Sequence, residues 1–118
     1  MTLKDCYAAL GGDYDDVIAR LRSESFVQKY VVRFPGDESF GLLCRSLESG
    51  ETQEAFRAAH TLKGMCQTLG FSVLERSSSN MTEALRGGDL EAGRALLETV
   101  REDYAHTVDV IRAFQAEL

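Results

Sequence analysis

One of the two histidines in this 118-residue chain has neighbours suited to group transfer. His60 lies in the stretch 52–70, TQEAFRAAHTLKGMCQTLG, with Lys63 three residues on and Gly64 four residues on. On a helix these positions share one face, so the imidazole has an ammonium and a bare patch of main chain beside it. An imidazole whose ordinary pKa is about 6.5 is a competent nucleophile near neutral pH. Once phosphorylated on nitrogen it is labile enough to hand the group on. A nearby ammonium stabilises charge on phosphoryl oxygens in such transfers. A glycine in mid-helix costs roughly 1 kcal/mol against alanine. That cost has a reason if a side chain there would block the group being transferred.

The element that must position these residues reads as one helix with two faces. Ala55, Ala58, Ala59, Leu62, Met65, Cys66 and Leu69 gather on a small apolar side that should be buried. Gln53, Phe56, Arg57, His60, Lys63, Gly64 and Gln67 gather on the other. His60 falls almost opposite Leu62 and Leu69, so it should face solvent. Phe56 is the one large apolar residue on the outer face, a turn before His60. It is a candidate docking contact for a partner, unless an N-terminal helix covers it. Arg57 and Gln67 flank the same surface as candidate rim contacts or phosphoryl hydrogen-bond donors. His106, opposite Tyr104 on the last helix, reads as surface.

The run His60-Thr61-Leu62-Lys63-Gly64, followed by Leu69-Gly70, resembles the signature of histidine-containing phosphotransfer (HPt) domains. Ala59 before it and Ala84-Leu85-Arg86-Gly87-Gly88-Asp89 after it fit the same family. The resemblance implies a four-helix module of two-component phosphorelays. Such a module accepts a phosphoryl group from a receiver-domain aspartate onto His60 and passes it to another receiver. It further implies Nε2 as the phosphorylated nitrogen, and response-regulator receiver domains and a hybrid histidine kinase as partners. Many members carry a Gln or Glu on the return helix that orients the imidazole, at the position of Thr82 here. Thr82 is shorter: its hydroxyl serves, or Gln67, Asn80 or Glu83 substitutes, or the ring is less constrained.

The chain has no glycine-rich nucleotide loop and no room for an ATP-binding domain, so it reads as a phosphoryl carrier without kinase activity of its own. No cofactor of its own is expected, and any Mg²⁺ used in transfer should belong to the receiver's acidic pocket. A second reading is an HPt-like adaptor that binds a receiver or histidine kinase without being phosphorylated. The intact His60-Lys63-Gly64 set argues against it. A metal or cofactor bundle is a third, but the inward Glu and Glu-x-x-His pattern of such sites is missing.

Composition narrows the partners. Net charge is −6 and the pI is about 4.9. An acidic chain without a basic block suits neither nucleic acid nor an anionic membrane. No apolar run approaches the roughly 20 residues of a membrane span, and no signal-peptide pattern opens the chain. Cys6, Cys44 and Cys66 are widely spaced with no CxxC, and read as reduced, buried thiols of a cytoplasmic protein. A monomer of one domain, residues 1–118, free rather than cut from a longer chain, is the expectation.

The remaining elements all read as helices. Leu3, Cys6, Tyr7 and Leu10 mark the first, which Gly11-Gly12 stops. Asp13 can cap a second, bearing Tyr14, Val17, Ile18 and Leu21. Ser23 or Ser25 can cap a third, bearing Phe26, Val27, Tyr30, Val31 and Phe34. Its β-branched valines suit a strand too, but the i, i+4, i+8 spacing favours a helix. Pro35-Gly36 breaks the chain. An antiparallel four-helix bundle follows, over about 37–48, 52–70, 72–86 and 90–117, with the short N-terminal helices covering one end. Asp37 and Asp89 are its candidate caps, and Gly50 and Gly70 its candidate stops. Ser77-Ser78-Ser79 reads as small side chains that let helices approach. Leu90, Leu97, Tyr104, Ile111 and Leu118 recur every seven residues, interleaved with Gly93, Val100, Thr107 and Phe114, as the packing seam of the last helix.

Overall fold

The computed structural model describes residues 1–118 and is all-helical. Three short helices come first, α1 (Leu3–Leu10), α2 (Tyr14–Leu21) and α3 (Glu24–Arg33). A 3-10 turn over Phe34–Gly36 carries the Pro-Gly break. The bundle follows as α4 (Ser39–Ser49), α5 (Thr52–Leu69), α6 (Ser72–Arg86) and α7 (Leu90–Ala116). These bounds lie within two residues of those expected. Residues 24–33 are helix, not strand, as their spacing indicated.

Side-chain oxygens start several of these helices. Asp13 accepts from the Asp16 amide, Ser23 from Phe26 and Asp89 from Ala92, each at about 3.0 Å. Each supplies an acceptor to a first-turn N–H that has no partner within its helix. Asp37 accepts from Ser39 at 2.8 Å.

Within the bundle α4 packs on α5, α5 on α6 and α6 on α7, and α4 also meets α7. Ala55, Ala58 and Ala59 are buried on α5, Ser77 and Ser78 on α6. These small residues let the two helices approach closely. The Ser78 hydroxyl donates to the Leu74 carbonyl at 2.7 Å, so its burial leaves no polar atom unsatisfied. On α7, Gly93, Val100, Thr107, Ile111 and Phe114 are fully buried, while Leu90, Leu97 and Tyr104 are half-buried. Leu118 does not extend the seam. It lies beyond the last turn of α7 and is 66% exposed, because nothing packs past Phe114.

The N-terminal helices close the end where α5 turns into α6. Their anchor is the C-terminus of α5, whose last carbonyls lack partners within the helix. The Tyr7 hydroxyl donates to the Leu69 carbonyl at 2.6 Å, and Arg20 donates to the Thr68 carbonyl at 3.1 Å. The Asp13 amide donates to the Gly70 carbonyl at 3.3 Å. Gly70 has φ +69°, and a Cβ there would stand 2.2 Å from Val17 Cγ2. Only glycine meets both demands.

The expected wide apolar face of α3 is only half used. Val27 and Val31 are buried, and Phe34 just beyond them, but Phe26 and Tyr30 are 46% and 40% exposed. They lie on the flank of α3, past the reach of the bundle surface it covers. Met65, placed with the buried face of α5, is half-buried.

Candidate functional site

His60 stands on the outer face of α5, exposed, as its angular distance from Leu62 and Leu69 required. Lys63 and Gly64 lie on the following turn, both half-buried. Lys63 has no acidic partner within 4.0 Å, so its ammonium is not consumed by an ion pair. A Cβ built on Gly64 meets nothing within 4 Å. Packing inside the chain therefore gives no reason for a glycine there. The space beside His60 is open main chain.

The return helix supplies no hydrogen bond to the imidazole. Of the two histidines only His106 has a hydrogen-bond partner in the protein, through Nε2 and the Ala9 carbonyl at 3.0 Å. Thr82 is fully buried, and its hydroxyl donates to the Ser78 carbonyl at 2.7 Å. A threonine hydroxyl inside a helix commonly back-bonds to the carbonyl four residues earlier, and here that bond takes its one proton away from His60. Glu83 is exposed and pairs with Arg86 at 3.3 Å. Gln67 and Asn80 are exposed, with no side-chain hydrogen bond to His60. Of the alternatives open at Thr82, the geometry is that of the less constrained ring.

An aromatic neighbour is present instead. The Phe56 ring centroid is 5.9 Å from that of His60, at 40° between planes. Phe56 is half-buried rather than open, and α6 reaches it through Arg86. The Arg86 guanidinium lies 5.1 Å from its ring centroid. This is a cation–π distance. Arg86 thus reaches the neighbourhood of His60 from the C-terminal turn of α6. The one signal for it at the level of sequence is a basic residue just before Gly87-Gly88. Arg57 is exposed and engaged with Glu54, three residues earlier.

On the other side of His60 a groove of about 740 Å³ runs between α5 and the N-terminal helices. Thr61, Gly64 and Met65 line it from α5, and Leu21, Phe26 and Tyr30 from α2 and α3. No helix is long and apolar enough to cross a membrane. All three cysteines are free, Cys6 and Cys66 buried and Cys44 only half-buried, short of the full burial expected of it. Burial pushes the Cys6 thiol up to about 11 and the Cys66 thiol further. Neither suits a nucleophile at neutral pH. No three His, Cys, Asp or Glu side chains converge to hold a metal ion.

The Hpt domain family model matches residues 36–112, from the 3-10 turn into the last turns of α7. Over 63 residues the chain is 35% identical to the chemotaxis protein CheA of Bacillus subtilis (strain 168). The match covers 51% of this chain and 9% of CheA, so the chain spans a small part of that relative's length. No solved structure gives a significant match. The helical bundle, the exposed histidine on its second helix and the family match over most of the length lead to one conclusion: the chain belongs to the Hpt domain family.

Proposed function

We propose that this chain is a phosphoryl carrier of a two-component phosphorelay. It accepts a phosphoryl group from a receiver-domain aspartate onto His60 and passes it to a second receiver. In the first step the lone pair of an unprotonated ring nitrogen, Nε2, forms a P–N bond. The P–O bond of the aspartyl phosphate breaks and the carboxylate leaves. The second step is the reverse, on another aspartate. Lys63 stabilises charge on the phosphoryl oxygens, and Gly64 leaves room for them. Arg86, through Phe56, adds a second cation near the ring. Any Mg²⁺ sits in the receiver's acidic pocket. The setting is the cytoplasm, where receivers act.

The observation that carries this reading is the exposed imidazole with an unpaired ammonium and open main chain on the next turn. The test incubates the chain with ³²P-labelled receiver and follows label onto protein as acid-labile, alkali-stable phosphate. Wild type should take label and His60→Gln should take none; label retained in His60→Gln rejects the assignment. One observation favours a second reading, the non-phosphorylated adaptor: no hydrogen bond orients the ring. Tight receiver binding with no acid-labile phosphate would establish it.

A further inference from the structure

The groove beside His60 has two walls of different standing. One is α5, inside the family match. The other is made by α2 and α3, residues 14–33, which lie outside it. We infer that α2 and α3 form the partner-selecting wall of a docking groove that continues onto the His60 face, with Phe26 and Tyr30 as its apolar contacts and Lys29 and Arg33 as its charged rim. The occupant is a receiver domain that presents an apolar patch beside its acidic phosphoacceptor pocket. The inference rests on the phosphoryl-carrier reading.

Three observations carry it. The first is exposure of apolar surface. Phe26 and Tyr30 are among the few large hydrophobics exposed anywhere on the chain, and they are adjacent, with ring centroids 4.8 Å apart. Scattered exposed apolar residues are ordinary, but a contiguous pair lining a groove marks an interaction site.

The second is charge. The chain carries −6, yet the wall, residues 14–33, holds four basic residues against three acidic ones, and one of those, Asp16, is engaged by Arg20. Lys29 and Arg33 lie 5.9 and 5.8 Å from the centre of the Tyr30 ring, and neither has an acidic partner within 4.0 Å. Asp37 also lines the groove, with its carboxylate engaged by the Ser39 amide. A basic rim on an acidic protein selects a partner acidic at that place, and steers it there.

The third is continuity and rigidity. Gly64 and Thr61 line the groove and flank His60 on α5, so whatever fills the groove comes within one helical turn of the nucleophile. The wall is fixed to α5 by the Arg20 and Asp13 contacts to its last carbonyls. A preformed surface of this kind loses little entropy on docking.

The test uses the full chain with Phe26→Ser and Tyr30→Ser combined and, separately, with Lys29→Glu and Arg33→Glu combined. All four positions are exposed, so helix content and melting temperature should match wild type. Label taken from phosphoramidate, a small donor that needs no docking surface, should match too. Against purified receivers of the same organism, the aromatic double variant should show at least a tenfold rise in KM for transfer, with kcat at saturation retained. The charge double variant should lose affinity and most of its salt dependence. Wild-type KM in both variants overturns the inference and leaves the carrier reading standing. A chain labelled by neither phosphoramidate nor any receiver overturns the carrier reading instead. The groove is then scored by direct receiver binding, where equal affinity of wild type and both variants, or no binding at all, overturns it. A wild-type dimer that the aromatic variant converts to monomer would assign the groove to a second copy and overturn it as well.

Discussion

Gly64 is the residue at which stability and function pull apart most cleanly. In an isolated helix glycine is worse than alanine by about 1 kcal/mol. Most buried glycines answer that cost with packing: at Gly93 an added Cβ would come 2.7 Å from Leu85 Cδ2. Gly64 has no such answer, because its Cβ would meet nothing within 4 Å. Gly64→Ala should therefore stabilise the chain by about 0.5–1 kcal/mol in chemical denaturation. If the vacant space serves an incoming phosphoryl group and its carrier, the same variant should slow receiver-to-His60 transfer by tenfold or more. A variant that is more stable and equally active would show that the clearance has no role. Thr82 teaches the opposite lesson. Its place in the resemblance suggested an imidazole partner, but a threonine inside a helix bonds its own backbone first. Its hydroxyl on the Ser78 carbonyl follows from the helix alone. Phe56 and Arg86 each stand out in the sequence, but their pairing does not, because it joins two helices 30 residues apart in the chain.

Helix α5 is positioned by what happens at its C-terminus, and Gly70 is the hinge of that arrangement. Alanine there would have to hold φ near +69° and place a methyl 2.2 Å from Val17 Cγ2. The left-handed backbone costs an L-residue about 1 kcal/mol, and overpacking adds about 1–3. Gly70→Ala should thus lose about 2–4 kcal/mol by urea or guanidinium unfolding. Gly93→Ala should lose less, because the obstructing atom is the tip of a leucine and the backbone is helical. Equal losses would mean that the α2–Gly70 contact is not tight. The bundle elements were legible from the sequence because their ends are punctuated. Gly50, Gly70 and the Gly87-Gly88-Asp89 turn mark the boundaries of α4 to α7, and Asp89 caps where it was expected. What periodicity could not supply was the width of surface each helix would find to cover it. Helix α3 has six apolar residues over a broad arc counting Phe34, but the bundle fully covers only Val27, Val31 and Phe34 and leaves Val32 half-buried. Phe26 and Tyr30 belong to that apolar face, fall outside the covered strip, and line the groove. Leu118 fits the seven-residue rhythm of α7, yet the rhythm runs on past the last partner.

At the scale of the molecule, the N-terminal helices and the bundle share one core. Leu3, Cys6, Tyr7 and Val17 pack in the same cluster as Cys66, Phe71 and Ile111. The Tyr7 and Phe34 rings lie 5.9 and 5.2 Å from that of Phe71, and His106 on α7 holds the end of α1. Two buried thiols report on this union, Cys6 from α1 and Cys66 from α5. Both are raised by burial, Cys6 from 9.0 to about 11 and Cys66 beyond it. An unfolded chain releases these protons near pH 9, whereas the folded chain keeps them to pH 11 or above. The unfolded state therefore binds fewer protons in that window, and stability falls as pH rises through it. The melting temperature should be insensitive to these groups below about pH 8 and should drop between about pH 9 and 11. Replacing Cys6 with alanine should blunt that drop. The same thiols test whether the union is cooperative. At pH 8 a thiol reagent should reach half-buried Cys44 first, and Cys6 and Cys66 only through opening of the structure. Protection of the two should be equal within about 1 kcal/mol if α1 to α3 open together with the bundle. If Cys6 reacts far faster than Cys66, the N-terminal helices undock on their own. The groove wall beside His60 would then be a movable element, and receiver docking would have to include the work of closing it.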